Sequence, residues 1–202
     1  MDDKINKLFI SVLGYWQVGK SCMISNLLGF PFDNYIVATR GLDYTNISVN
    51  LNNKEIKLKI CDTVGGPKYR NISSSTIPIS DGFLLVFSLD LRPSFEEIKY
   101  WLNIIKDYFD MNEKAIIIVG NKNDIDKREI SYEEASKFAE LNNFKYFETS
   151  AINGNNIQNV FNVLYNDTYN KKIESNLLFK NRIKDQDFNK NHLLNLYKYY
   201  LN

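Results

Sequence analysis

Apolar residues along this chain fall into two kinds of run. Short continuous ones, Leu8–Leu13, Phe83–Phe87 and Ala115–Val119, read as strands covered on both faces, the mark of a parallel sheet. Between them apolar residues recur at helical spacing. After Pro93-Ser94, a helix start, Phe95, Ile98, Tyr100–Leu102 and Ile105 share a face. Ser131-Tyr-Glu-Glu134 predicts a capping box, followed by Ala135, Phe138 and Leu141 on one side of a helix. Ile157, Val160, Phe161 and Leu164 form a further stripe.

Residues 42–62 follow a different rule. Leu42–Asn50 and Glu55–Ile60 alternate apolar and polar positions and join through Asn52-Asn53-Lys54, which predicts a hairpin with one wetter face. With a last strand at Phe144–Phe147, the pattern predicts an α/β fold. It is a doubly wound, mostly parallel six-stranded sheet with helices on both faces. The domain is expected over residues 1–171. A basic, Asn-rich extension follows over 172–202, closing on a short helix built from Leu193, Leu194, Leu196, Tyr197, Tyr200 and Leu201. Lys171–Asn202 carries seven basic and three acidic residues, so the tail is net +4 and the body net −3.

Composition narrows the class without naming a chemistry. The 202 residues are 44% hydrophobic, 24% charged and 14% aromatic, which excludes wholesale disorder. A formal net charge of +1 gives no global field to attract nucleic acid. Cys22 and Cys61 are too few for a disulfide framework, so a reducing compartment is expected. No apolar run reaches the roughly 18 residues of a membrane span. The opening Met-Asp-Asp-Lys has neither an h-region nor a glycine at position 2, so neither secretion nor N-myristoylation is expected. The expectation is a cytoplasmic monomer that meets membranes only indirectly.

Chemistry enters at Gly14-Tyr-Trp16-Gln17-Val18-Gly19-Lys20-Ser21, which matches the phosphate-loop pattern G-x-x-x-x-G-K-[ST]. The match follows the first strand and opens a helical pattern (Met23, Ile24, Leu27, Leu28). There, backbone N–H groups converge on a polyphosphate at a helix N-terminus. Lys20 neutralises the β- and γ-phosphates and the Ser21 hydroxyl ligates Mg²⁺. Asp62-Thr-Val-Gly65 ends the third strand, placing an acid for a water-mediated hold on Mg²⁺ and a glycine N–H for a γ-phosphate. Asn121-Lys122-Asn123-Asp124 follows another strand. A carboxylate there accepts from both N1 and the exocyclic amine of guanine, a pair adenine lacks. Asn121 braces the loop and the Lys122 stem covers the base. Taken alone, that tetrapeptide reads equally well as a turn. Glu148-Thr-Ser150-Ala151 places a backbone N–H near guanine O6.

These four motifs, with Thr39 between the first two as a fifth, stand in order and at the family's spacing over about residues 5–170 and resemble the Ras superfamily of small GTPases. The Rab branch is the most similar, through Ser21-Cys22, Thr39-Arg-Gly-Leu-Asp-Tyr44, Tyr69-Arg70-Asn-Ile-Ser-Ser-Ser75 and Glu148–Ala151. The resemblance implies the phosphate-loop GTPase fold and a GDP/GTP switch for membrane traffic, with Mg²⁺. It gives Thr39 a Mg²⁺ and γ-phosphate sensing role and Phe32 a place beside the base. It makes Lys20, Thr39 and Gly65 the catalytic set, with Cys22 and Ile152 also at the nucleotide. It implies effectors and regulators bound through about residues 35–45 and 64–78.

The departures from the family pattern are as informative. Trp16 and Gln17 stand where relatives carry small residues, and Val64 replaces an alanine. Gly66 occupies the place of the glutamine that orients the attacking water, and Pro67 follows it instead of an acid. Ile152 replaces a lysine beside the base, and Ile36 a tyrosine over the phosphates. No cysteine lies beyond Cys61, so the prenylation typical of the family is not expected. These changes predict slow hydrolysis, and they keep open a scaffold that holds nucleotide permanently or not at all. A phosphate-loop ATPase or small-molecule kinase would leave Asn121–Asp124 and Glu148–Ala151 without a task. His192, Cys22, Cys61 and Trp101 read as surface or packing residues. Trp16 does not, since a phosphate loop offers its ring no core.

Overall fold

The computed structural model describes residues 5–32 and 38–185, with side chains described as far as residue 179. Six strands form one sheet: β1 (Lys7–Gly14), β2 (Leu42–Leu51), β3 (Lys54–Thr63), β4 (Gly82–Ser88), β5 (Ala115–Asn121) and β6 (Lys145–Thr149), in the order β2-β3-β1-β4-β5-β6. Only the β2–β3 pair is antiparallel. Among the described residues five α-helices accompany the sheet: α1 (Lys20–Leu27), α2 (Arg70–Ser74), α3 (Arg92–Tyr108), α4 (Tyr132–Leu141) and α5 (Ile157–Asp185).

The period of two along each strand sorts the core into two layers. Leu8, Ile10, Val12, Leu84, Val86, Ile117 and Val119 face Met23 and Ile24 of α1 and Val160, Phe161 and Leu164 of α5. Leu13, Phe83, Leu85, Phe87, Ile116 and Ile118 face Phe95, Ile98, Trp101 and Ile105 of α3 and Ala135 and Ala139 of α4. Trp101 is thus core. The hairpin turns on two residues, Asn52 and Asn53, at φ 50° and 61°, the left-handed pair that a tight hairpin needs. Its outer face is the wetter one, with Tyr44, Asn46, Ser48 and Asn50 exposed.

Two helices differ in detail from the pattern. Ser131 caps α4 by accepting from Glu134 N–H, but the Glu134 carboxylate pairs with the Arg92 guanidinium. A charged partner outcompetes the backbone return of a full capping box. Helix α5 crosses position 171 without a break, and the Lys172 ammonium meets Asp81 at 2.9 Å on its way out. Leu193–Leu201 and Ile36 lie outside the described residues.

The motif loops after β1, β3, β5 and β6 leave the carboxyl ends of their strands, and antiparallel β2 begins at that same end of the sheet just after Thr39. β1 sits between β3 and β4, where consecutive connections turn to opposite sides, and open α/β sheets bind ligands at such a switch point.

Candidate nucleotide site

At that end lies a cleft of about 570 Å³, within the range of small-ligand pockets. Its floor is the loop between β1 and α1. Lys20 is almost fully buried and donates to Gly14 O at 2.9 Å and Tyr15 O at 2.7 Å. Desolvation lowers its pKa to about 8, against the partial support of Asp62 and Glu97. A buried cation spending its protons on main-chain carbonyls is suited to exchange them for an anion's oxygens. Gly19, at φ +94°, precedes α1 with no side chain, and a Cβ there would stand 2.3 Å from Asn121 Nδ2. Gly65 closes the same floor, since a Cβ would meet Tyr15 O at 2.4 Å and Lys20 Nζ at 2.5 Å.

Three oxygen-bearing side chains meet beside Lys20. Ser21 Oγ donates to Asp62 Oδ2 at 2.5 Å and lies 2.9 Å from Thr39 Oγ1, which donates to the same carboxylate oxygen at 3.2 Å. Asp62 Oδ1 is buried and has no hydrogen-bond partner among the described residues. Burial pushes this carboxyl above its usual range, with Ser21, Lys20 and Thr39 pulling the other way. Two hydroxyls and a carboxylate with one oxygen orphaned fit a hard divalent cation that takes oxygen ligands.

At the other end, Asn121 ties three segments together. Its Nδ2 donates to Val18 O at 2.8 Å, while Oδ1 accepts from Thr149 Oγ1 at 3.1 Å and from Ala151 N–H at 3.2 Å. The Ser150 N–H goes to Asn155 O, so in this geometry both of those amides are engaged within the protein. Lys122, at φ +68°, places its ammonium beside Asp90.

Most predicted residues line one cleft: Trp16, Gln17, Gly19, Lys20, Ser21 and Cys22 from the first loop, with Phe32, Thr39, Gly65 and Gly66. Asn121, Lys122, Asp124, Ala151 and Ile152 line its far end. Gly14, Val18, Asp62 and Ser150 support these from beneath, at 8% exposure or less for Val18, Asp62 and Ser150. At Gly14 a Cβ would stand 2.0 Å from Val86 O. Sequence reasoning missed Tyr69 and Pro67 as cleft walls, and Asp90 and Glu97 as supports. Glu97 is buried and takes Arg70 Nε at 2.9 Å, while the Arg70 guanidinium stacks 4.2 Å above Tyr100, fastening α2 to α3. Contacts across elements are what reveal Asp90 and Glu97.

The family model described as Ras family matches residues 9–170. The chain is 34% identical over 176 residues to "Ras-related protein RABA4b" of Arabidopsis thaliana, covering 86% of this chain and 78% of that protein. It is 35% identical over 188 residues to "Ras-related protein Rab-11B" of Dictyostelium discoideum, with 90% and 80% covered. It is 34% identical over 163 residues to "GTP-binding protein YPT1" of Saccharomyces cerevisiae, with 80% and 79% covered.

The chain belongs to the Ras family. Its relatives make it a Rab-like small GTPase, and the six-stranded sheet with five helices is that family's α/β fold. The wall formed by Val64, Gly65, Gly66, Pro67 and Tyr69 presents no side-chain amide and no acid to the cleft. Trp16 stands over the same region, 48% exposed. No helix among the described residues is long and apolar enough to cross a membrane.

Proposed function

We propose that this Rab-like protein is a guanine-nucleotide switch of vesicle traffic that binds GDP and GTP with Mg²⁺ and hydrolyses GTP slowly. The observation that carries the reading is the convergence of Lys20, Ser21, Thr39 and Asp62 at one end of a cleft whose other end holds Asp124. Those end groups match a nucleotide's two recognisable parts, polyphosphate and base.

Ser21 and Thr39 would hold Mg²⁺ directly and Asp62 through water, and the ion supplies charge neutralisation across the phosphates. The chain's own residues do the rest. Lys20 and the backbone N–H groups from Trp16 to Ser21 bind the phosphates at the start of α1. Asp124 accepts from the guanine edge, and the Lys122 stem and Phe32 flank the ring. Thr39 links the first switch to the phosphate end, so the segments around residues 35–45 and 64–78 report the nucleotide state to partner proteins. Residues 33–37 of the first segment lie outside the described residues.

Hydrolysis needs a water held in line with the γ-phosphorus. Gly66 has no side chain to hold it, and Pro67 fixes its own φ and restricts Gly66 before it. Asn71, the next amide along the chain, is exposed on α2 and does not line the cleft. Trp16 places bulk where a partner's arginine would approach. Positioning and electrostatics supply nearly all catalysis of phosphoryl transfer, so a long-lived GTP state follows.

The test is to denature the purified protein and identify what it releases. GDP or GTP in near-stoichiometric amount supports the switch. Protein that releases neither, and takes up neither when supplied with Mg²⁺, is the empty scaffold instead.

A further inference from the structure

Asp90 has no role in the reading above, yet its carboxylate lies beside Lys122, which lines the base end of the cleft. β4 and β5 run in parallel register with Ser88 opposite Asn121. Leu89 N–H donates to Asn121 O at 3.0 Å, so the turn leaving β4 lies against the turn leaving β5. Asp90 accepts from the Ser88 hydroxyl, and its two oxygens stand 3.4 and 3.3 Å from Lys122 Nζ. Burial alone would raise this carboxyl, but Ser88 and the Lys122 ammonium outweigh it and hold it below its usual range.

Lys122 is an awkward residue to use as a wall. It sits at φ +68°, a left-handed conformation unfavourable for a non-glycine residue. Its long side chain has much rotamer freedom to lose. A long chain tethered only at its backbone would sweep solvent rather than present a face. Fixing the far end before a ligand arrives removes part of that cost from binding.

We propose that Asp90 is a positioning residue for the guanine base, anchoring the Lys122 ammonium so that the aliphatic stem stands as a wall of the base pocket. Asp90 itself does not line the cleft; Lys122 does. The inference rests on the guanine-nucleotide reading and adds to it a residue outside the predicted motifs. It also fixes the kind of help given. A stem that covers a ring face is indifferent to the exocyclic amine, whereas Asp124 reads that amine. Loss of Asp90 therefore weakens guanine and hypoxanthine nucleotides alike.

The experiment measures release of radiolabelled GDP and of radiolabelled IDP from the full chain with Mg²⁺, chased with unlabelled nucleotide. Asp90→Ala is expected to speed both releases by the same factor, about fivefold for an ion pair whose side chains are 30% and 36% exposed. Asp90→Glu restores the slow rate. In a Lys122→Met background, which keeps the stem and removes the ammonium, Asp90→Ala changes nothing further. Asp90→Asn keeps a partner for Ser88 and loses the charge, so it carries the test if the alanine variant fails to fold. Unchanged release in both variants overturns the proposal, as does equal acceleration in the Lys122→Met background. A much larger effect on GDP than on IDP also overturns it, because the residue then acts through Asp124. Wild-type protein that retains neither nucleotide sinks the underlying reading as well; retention that ignores Asp90 sinks only the positioning role.

Discussion

On the floor of the cleft, Lys20, Ser21, Thr39 and Asp62 interlock through short contacts, with one carboxylate oxygen left over. On the facing wall, Gly66, Pro67, Tyr69 and Trp16 offer bare backbone and rings, with Tyr69 and Trp16 46% and 48% exposed. The floor is made of groups that bind charge, and the wall lacks the group that would organise a water. Binding and hydrolysis thus draw on different residues of one pocket, and one can be retained while the other fades. Under the proposed function, such a protein would enter the GTP state readily and leave it slowly.

The largest effect that would break this contrast lies at the base end. Asp124→Asn should abolish preference for guanine over xanthine nucleotides, a change on the order of 10⁴-fold by analogy with sites that hydrogen-bond specific substrate groups. Competition binding with GDP and XDP reads it, and a variant that still prefers GDP at full strength removes the base assignment. Next comes the floor. Lys20→Ala strips a buried cation from the phosphates and should weaken GDP by roughly 10²-fold, about 3 kcal/mol. Titration calorimetry showing unchanged affinity would mean the phosphates lie elsewhere.

The wall yields the third expectation. At Gly66 a Cβ would meet only the Tyr69 ring, at 3.2 Å, a contact a small ring shift relieves. Gly66→Gln should therefore fold and raise single-turnover hydrolysis by roughly tenfold, short of the 10²–10³ of a well-placed donor because Trp16 and Pro67 remain. A variant no faster than wild type would place the defect in Trp16 or Pro67 alone. The smallest effect sharpens the boundary of the pocket. Cys22 lines the cleft, and burial raises its thiol. Cys61 is fully buried, its thiol pushed up to about 12 by desolvation. Alkylation should be slow at Cys22, slower again by about threefold once nucleotide fills the cleft, and absent at Cys61 in folded protein. Peptide mass mapping after brief labelling checks both.

Much of this was readable from residue order because the informative features are local. The strand Leu8–Leu13, the capped start at Ser131 and a hairpin turn at Asn52-Asn53-Lys54 each follow from periods and backbone preferences within a few positions, although Lys54 already belongs to β3. The phosphate loop is equally local, since its backbone N–H groups are consecutive. What sequence could not show is what depends on register between distant segments. Asp90 reaches Lys122 because Ser88 pairs with Asn121 across two strands. Glu97 meets Arg70 because α2 packs against α3. Tyr69 becomes a wall of the cleft through the turn at Pro67–Tyr69. Helix α5 outran its apolar stripe for a related reason: Ile157–Tyr169 is held by the core, and Lys172 then finds Asp81 on another element.

Single-turnover hydrolysis of GTP preloaded on the wild-type protein, with Mg²⁺ and no partner present, tests the contrast between floor and wall most directly. Ras without an activator turns over at roughly 3–5 × 10⁻⁴ s⁻¹. The account predicts stable GTP loading and a rate well below that figure. Loading followed by hydrolysis at or above it would contradict the account, because a wall without an amide would then be organising the water as well as one that has it.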